Sequence, residues 1–150
     1  MTVTHDGETL CSVEENLNTR TNFGSLTFEY SESNTDSGGD NRIKVLRLKE
    51  GTDYDVRIEG NGRGRMNYTI GFMDEAGKYS DLRRFANIKI SKKTVIDTVA
   101  ASSGTTVLNV DEDGDGKVDL RYKANANGRG EIVDHSYWIY IAVAAVILLV

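Results

Sequence analysis

The chain has 150 residues, with 18 lysines and arginines against 23 aspartates and glutamates, which gives a net charge of −5 at pH 7. Its length fits one domain, and its 15 glycines and 39% apolar residues argue against a collagen-like, coiled-coil or all-helical chain. The acidic balance and scattered basic residues argue against a nucleic-acid binder, because phosphate neutralisation needs a clustered basic surface.

The first elements along the chain are predicted to be β-strands, because apolar residues recur with period two between turn residues. Residues 3–5 and 9–13 flank Asp6-Gly7, which favours a tight hairpin since glycine tolerates positive φ. Further strands are predicted at 26–30 and 43–48.

The middle of the chain continues the same alternation. Residues 54–58 and 66–72 each place apolar side chains on one face, and the glycine-rich stretch 60–64 between them predicts a second hairpin. A turn at 74–77 and short strands between 85 and 108 bring the total to about eight to ten strands. The predicted fold class is all-β, an antiparallel β-sandwich of jelly-roll or Ig-like type over residues 1–124.

Residues 111–119, with the sequence DEDGDGKVD, predict a calcium site. Aspartates at relative positions 1, 3, 5 and 9 with glycine at 6 suit a looped cage of oxygen ligands, and the residue at 7 offers its carbonyl. The predicted ligands are the side chains of Asp111, Asp113, Asp115 and Asp119 and the carbonyl of Lys117. A solvated acidic turn is the alternative.

The calcium loop is predicted to lie between strands. A helix–loop–helix site would need a glutamate at position 12, where Tyr122 stands, and both flanks are strand-like. The loop therefore resembles the strand-flanked calcium loops of integrin-type propeller repeats and thrombospondin type 3 repeats, and this resemblance implies that Asp119 acts as the late ligand.

The carboxyl-terminal residues 137–150 are all apolar or aromatic and begin with an interfacial aromatic group. As a helix they would reach about 21 Å, short of a hydrocarbon core of about 30 Å. They predict an incomplete transmembrane anchor, with residues 125–136 as a juxtamembrane linker; a buried helix or strand pair is the alternative. Since the first twenty residues lack a signal peptide, we expect a fragment of a larger exported protein with a further domain upstream of Met1.

No catalytic residue is predicted. Cys11 has neither a disulfide partner nor the neighbours of a zinc site, and His5 and His135 stand apart from any nucleophile pattern. The glycine-rich stretch 60–64 precedes a strand instead of a helix and therefore fails as a dinucleotide-binding fingerprint.

Four stretches carry a resemblance to the carboxyl-terminal accessory β-sandwich of large bacterial surface or secreted proteins: HDGETLCSV at 5–13, GTDYDVRIEG at 51–60, GRGRMNYTI at 62–70 and FANI at 85–88. In those proteins the module accompanies a hydrolase, a peptidase or a von Willebrand factor A-type adhesion domain. The resemblance implies attachment or spacing instead of catalysis.

The expected function is a non-catalytic, calcium-stabilised module on the bacterial cell surface, membrane-proximal and extracellular, for presentation or adhesion. Its expected partners are the membrane and an upstream domain of the same protein, and not nucleic acid. One alternative is an accessory domain of an exported hydrolase or peptidase that helps to position substrate. An enzyme in its own right is a third hypothesis.

Overall fold

The computed structural model describes residues 1–11, 19–30, 42–101 and 105–135. These ranges contain twelve strands, all paired antiparallel, so the predicted all-β antiparallel class is confirmed. The strands are β1 Thr2–His5, β2 Glu8–Cys11, β3 Thr19–Arg20, β4 Gly24–Tyr30, β5 Arg42–Leu48, β6 Tyr54–Glu59, β7 Gly64–Met73, β8 Tyr79–Ile90, β9 Val95–Ala100, β10 Val107–Asp111, β11 Leu120–Ala124 and β12 Gly130–His135.

A seven-stranded sheet in the order β12-β11-β10-β9-β6-β1-β2 forms one layer. The three-stranded sheet β3-β4-β5 and the β7–β8 hairpin pack against it, which is consistent with a β-sandwich. The core between the layers is continuous and apolar. Its most deeply buried members include Val3, Leu10, Ile96 and Leu108 from the large sheet and Phe85 from β8.

The first hairpin forms as predicted. Strands β1 and β2 pair from Thr2 opposite Cys11 to His5 opposite Glu8, which leaves a two-residue turn. Asp6 and Gly7 have φ angles of 48° and 78°, the positive values that a type I′ turn requires. The dipeptide thus sets the register of the first two strands.

Strand β6 confirms the predicted alternation, because Tyr54, Val56 and Ile58 are buried and the residues between them are exposed. The predicted hairpin through residues 60–64 is wrong: β6 pairs with β1 and β9, whereas β7 pairs with β8. The Gly60 amide donates to the Thr94 carbonyl, and a side chain at Gly60 would overlap the turn between β8 and β9. This close approach carries the chain into the facing layer.

The sandwich extends past the boundary predicted at residue 124. Residues 125–136 were expected to form a linker, but β12 pairs with β11 and forms one edge of the large sheet. The connection is a tight turn in which the Gly128 amide donates to the Asn125 carbonyl at 2.9 Å. A side chain at Gly130 would overlap the ring of Phe85, so β12 packs directly on the core.

The predicted membrane anchor at 137–150 lies outside the described residues. Across the ranges that the structure describes, no helix has the length and apolar character needed to cross a membrane.

The phenol of Tyr68 is expected to ionise late. It lies on the inner face of β7 with its ring centroid 6.1 Å from that of Phe85, and burial raises the pKa of Tyr68 to about 12. Because the pKa in the folded state lies above the unfolded value of about 10, the free energy of unfolding is unaffected by this group below about pH 10. It decreases as the pH rises from about 10 through 12. Ultraviolet titration should show a tyrosine step near pH 12 that Tyr68→Phe removes. A titration unchanged by that substitution would contradict the burial of this phenol.

Candidate metal centre

The acidic stretch forms a loop between two paired strands. Strand β10 ends at Asp111 and β11 begins at Leu120, with Val110 opposite Leu120 in the register. The Asp119 amide donates to the Val110 carbonyl at 2.8 Å and closes the base of the loop. Both flanks are therefore strands, as predicted, and the sheet holds the two ends of the loop together.

The loop curls around the carboxylate of Asp111. One oxygen of this carboxylate accepts a hydrogen bond from the Gly114 amide at 2.6 Å, and the other accepts one from the Gly116 amide at 2.8 Å. Gly114 and Gly116 have φ angles of 78° and 86°, in the left-handed region that favours glycine. The two glycines let the backbone turn tightly enough to bring the following aspartates inward.

Three carboxylates converge within the loop. Asp111, Asp113 and Asp115 each offer one oxygen, and these oxygens lie within 4.8 Å of one another. Each carboxylate oxygen has two lone pairs, so the hydrogen bonds from backbone amides leave electron pairs for a cation. This acidic triad can hold a metal ion.

Asp115 is kept ionised by its neighbour. The Lys117 amide donates to the Asp115 carboxylate at 2.8 Å, and the Lys117 ammonium lies 3.1 Å from the second oxygen. The hydrogen bond from the backbone, followed by that from the side chain, holds the pKa of Asp115 below its usual value. The carboxylate is therefore negatively charged at neutral pH, as cation binding requires.

The two remaining predicted ligands have other contacts in this structure. One oxygen of Asp119 accepts a hydrogen bond from the Glu112 amide at 2.7 Å, and Lys117 contacts Asp115 through its side chain. The structure brings Asp111, Asp113 and Asp115 together, whereas the ligand roles of Asp119 and of the Lys117 carbonyl stay predictions.

One support for the loop could not be predicted from the sequence. The turn between β8 and β9 lies beneath it: a side chain at Gly114 would come within 3.0 Å of the Lys93 carbonyl oxygen, and the buried Thr94 hydroxyl donates to the Glu112 carbonyl at 3.4 Å. The only sequence signal for this support is the small polar character of Thr94 before a strand. The contact itself depends on how β9 pairs with β10.

His5 lies among aromatic rings, whereas Cys11 and His135 are the last residues of their strands. The ring of His5 packs edge-on against Tyr54 and Phe23, with centroids 4.9 and 5.6 Å apart. Cys11 is exposed at the end of β2, with its sulfur 3.6 Å from the Thr2 hydroxyl. His135 ends β12 at the sheet edge.

Comparisons with known protein families, curated proteins and solved structures found no match.

Proposed function

We propose that this chain is a calcium-stabilised, non-catalytic β-module of a bacterial surface protein, serving presentation or adhesion. The acidic triad on a loop closed by two paired strands is the observation that supports this most. Carboxylate and carbonyl oxygens in an irregular loop suit Ca²⁺, which takes six to eight oxygen ligands, better than Mg²⁺, which demands octahedral geometry and retains water. Asp119 and the Lys117 carbonyl would complete the ligand set.

The proposed ion has a structural role. It would hold the end of β10 to the start of β11 and keep the loop on the β8–β9 turn, where Gly114 already approaches Lys93. Extracellular modules bind Ca²⁺ with dissociation constants of roughly 10⁻⁴ to 10⁻³ M. Such a site would be filled outside cells and largely empty in the cytosol, which supports an extracellular location for the β-domain.

Thermal melting tests the calcium site. At a free concentration about 20-fold above the dissociation constant, Ca²⁺ should stabilise the fold by about 1.8 kcal/mol and raise Tm by about 5 to 10 °C. Asp113→Ala should fold normally, because its side chain is exposed and outside the core, and should lose most of this shift. Asp53→Ala, which removes an exposed acid outside the loop, should keep it. Identical wild-type melting curves in millimolar Ca²⁺ and in chelator would refute the site.

We also propose that residues 137–150 anchor the module in a membrane and that a further domain of the same protein precedes it. Their apolar composition supports the anchor. In detergent phase separation, the full chain should enter the detergent-rich phase, whereas a chain ending at residue 135 should stay in the aqueous phase. Equal partitioning of the two chains would contradict the anchor. Proteolysis of the β-domain on intact cells would test its extracellular location.

A further inference from the structure

Three basic side chains, those of Arg65, Arg84 and Lys89, lie on the outer face of the β7–β8 hairpin, and Arg129 lies beside Arg84 in the turn before β12. We call these four residues the basic face. Arg65 stands directly opposite Lys89 in the hairpin register. Arg84 stands opposite Thr69, and its backbone forms a bridge with Arg129. All four residues are exposed. Strand pairing thus gathers on one surface cations that are scattered along the sequence.

Other arginines on the sheets have acidic partners. Arg57 lies 3.2 Å from Asp97 and Arg121 lies 2.5 Å from Asp134, both on the outside of the seven-stranded sheet. Arg47 is paired with Glu29 in the three-stranded sheet.

The basic face has no such partners. Within the described part of the chain, none of its four side chains forms an ion pair, and Arg65 donates only to the Asn87 carbonyl at 3.1 Å. Like charges directly opposite each other destabilise a strand pair, so Arg65 and Lys89 contribute no favourable cross-strand pair to the hairpin. In a chain with a net charge of −5, this local excess of positive charge points to an anionic ligand.

We propose that the basic face binds an anionic polysaccharide. The face spans about 13 Å between Arg65 and Thr69, at about 3.3 Å per residue, so it suits a linear polyanion. Asn67 and Thr69 lie between the cations on the same exposed side of β7 and offer amide and hydroxyl groups to sugar hydroxyls.

Two other classes of polyanion fit less well. Single-stranded nucleic acids bind through bases stacked on aromatic side chains. The exposed residues between Arg65, Arg84 and Lys89 are not aromatic, and the exposed Tyr79 lies apart from them, next to the turn of the hairpin. A bilayer would meet the domain where the chain leaves β12 at His135, whereas Arg84 and Arg129 lie at the opposite end of β12, next to its first residue. This proposal rests on the proposed adhesive function, for which it names a class of ligand. That a bilayer fits less well follows from the proposed anchor.

The test uses the full chain in neutral detergent, with heparin and polygalacturonate as probes at about 50 mM salt. Arg65→Gln with Arg84→Gln should weaken binding of both probes about tenfold, because two charge contacts are lost. Arg57→Gln with Arg121→Gln changes the net charge equally and should weaken binding less than about twofold. The double variant Lys89→Gln with Arg129→Gln should also weaken binding of both probes about tenfold. If one double variant misfolds, the other still tests the basic face.

Absence of binding to both polysaccharides, or equal losses in the basic-face and control variants, would overturn the proposal. Single-stranded DNA that binds as tightly as the polysaccharides, or displacement of heparin by micelles doped with phosphatidylglycerol, would also overturn it by assigning the face to another ligand class. The calcium-dependent change in Tm, measured on the same preparations, reports on the metal centre separately. Failure of either proposal can therefore be recognised independently.

Discussion

Phe85→Ala is expected to lower the free energy of unfolding by about 3 to 5 kcal/mol. Phe85 is 1% exposed and connects the two layers of the sandwich. Its ring lies beside Tyr68 in the hairpin and against the backbone of Gly130 in β12. Truncation to alanine removes this apolar surface and leaves a cavity that rigid strands on both sides cannot close.

Urea denaturation would measure this effect, with Phe28→Ala as the matched control. Phe28 is half-buried in β4 and lies outside the main core cluster, so its truncation should cost only about 1 kcal/mol. If the two substitutions cost the same, Phe85 does not join the layers as described.

Asp81→Asn is expected to destabilise the fold by about 2 to 3 kcal/mol, because it leaves a buried guanidinium without its counter-charge. The Arg83 side chain is only 8% exposed; it pairs with Asp81, donates to the Thr106 hydroxyl at 2.8 Å and lies 5.3 Å from the centroid of the Phe72 ring. Asp81 has a φ of 47°, a conformation that asparagine also tolerates, so the substitution removes charge without adding backbone strain.

Two further substitutions separate charge from packing in this pair. Arg83→Met should cost less, about 1 kcal/mol, since methionine fills the same space and the Asp81 carboxylate, 58% exposed, can be hydrated. Asp134→Asn breaks the exposed pair with Arg121 and should change stability by no more than about 0.5 kcal/mol. Equal costs for Asp81→Asn and Asp134→Asn in urea denaturation would show that burial of Arg83 is unimportant.

Local features of the fold could be predicted because local chemistry determines them. The Asp6-Gly7 turn and the buried face of Tyr54, Val56 and Ile58 follow from turn geometry and alternation. Alternation shows which face of a strand is buried but not which strand lies beside it. The predicted pairing of β6 with β7 was wrong for this reason, and β12 was missed because its apolar residues Ile132 and Val133 remain exposed.

The candidate site, like the fold, could be predicted only where local chemistry determines it. Spacing along one short loop was enough to bring Asp111, Asp113 and Asp115 together, because two glycines determine the path of the backbone between them. The role of Asp119 depends on where the base of the loop closes, which is a property of the sheet. The basic face could not be predicted, since each strand contributes only isolated cations until the register, including the bulges in the hairpin, places them side by side.

The β7–β8 hairpin lies between β6 and β9 along the chain, and this order affects how the protein folds. These two strands are neighbours in the large sheet, with Tyr54 opposite Ala100, yet they cannot pair until the whole intervening segment has folded back. Loop closure of this kind is slow in sheet proteins, so local hairpins should form first and the long-range pairing last. Until then β6 and β9 expose unpaired backbone edges that can recruit a second chain. The yield of native protein on refolding should therefore fall as the protein concentration rises.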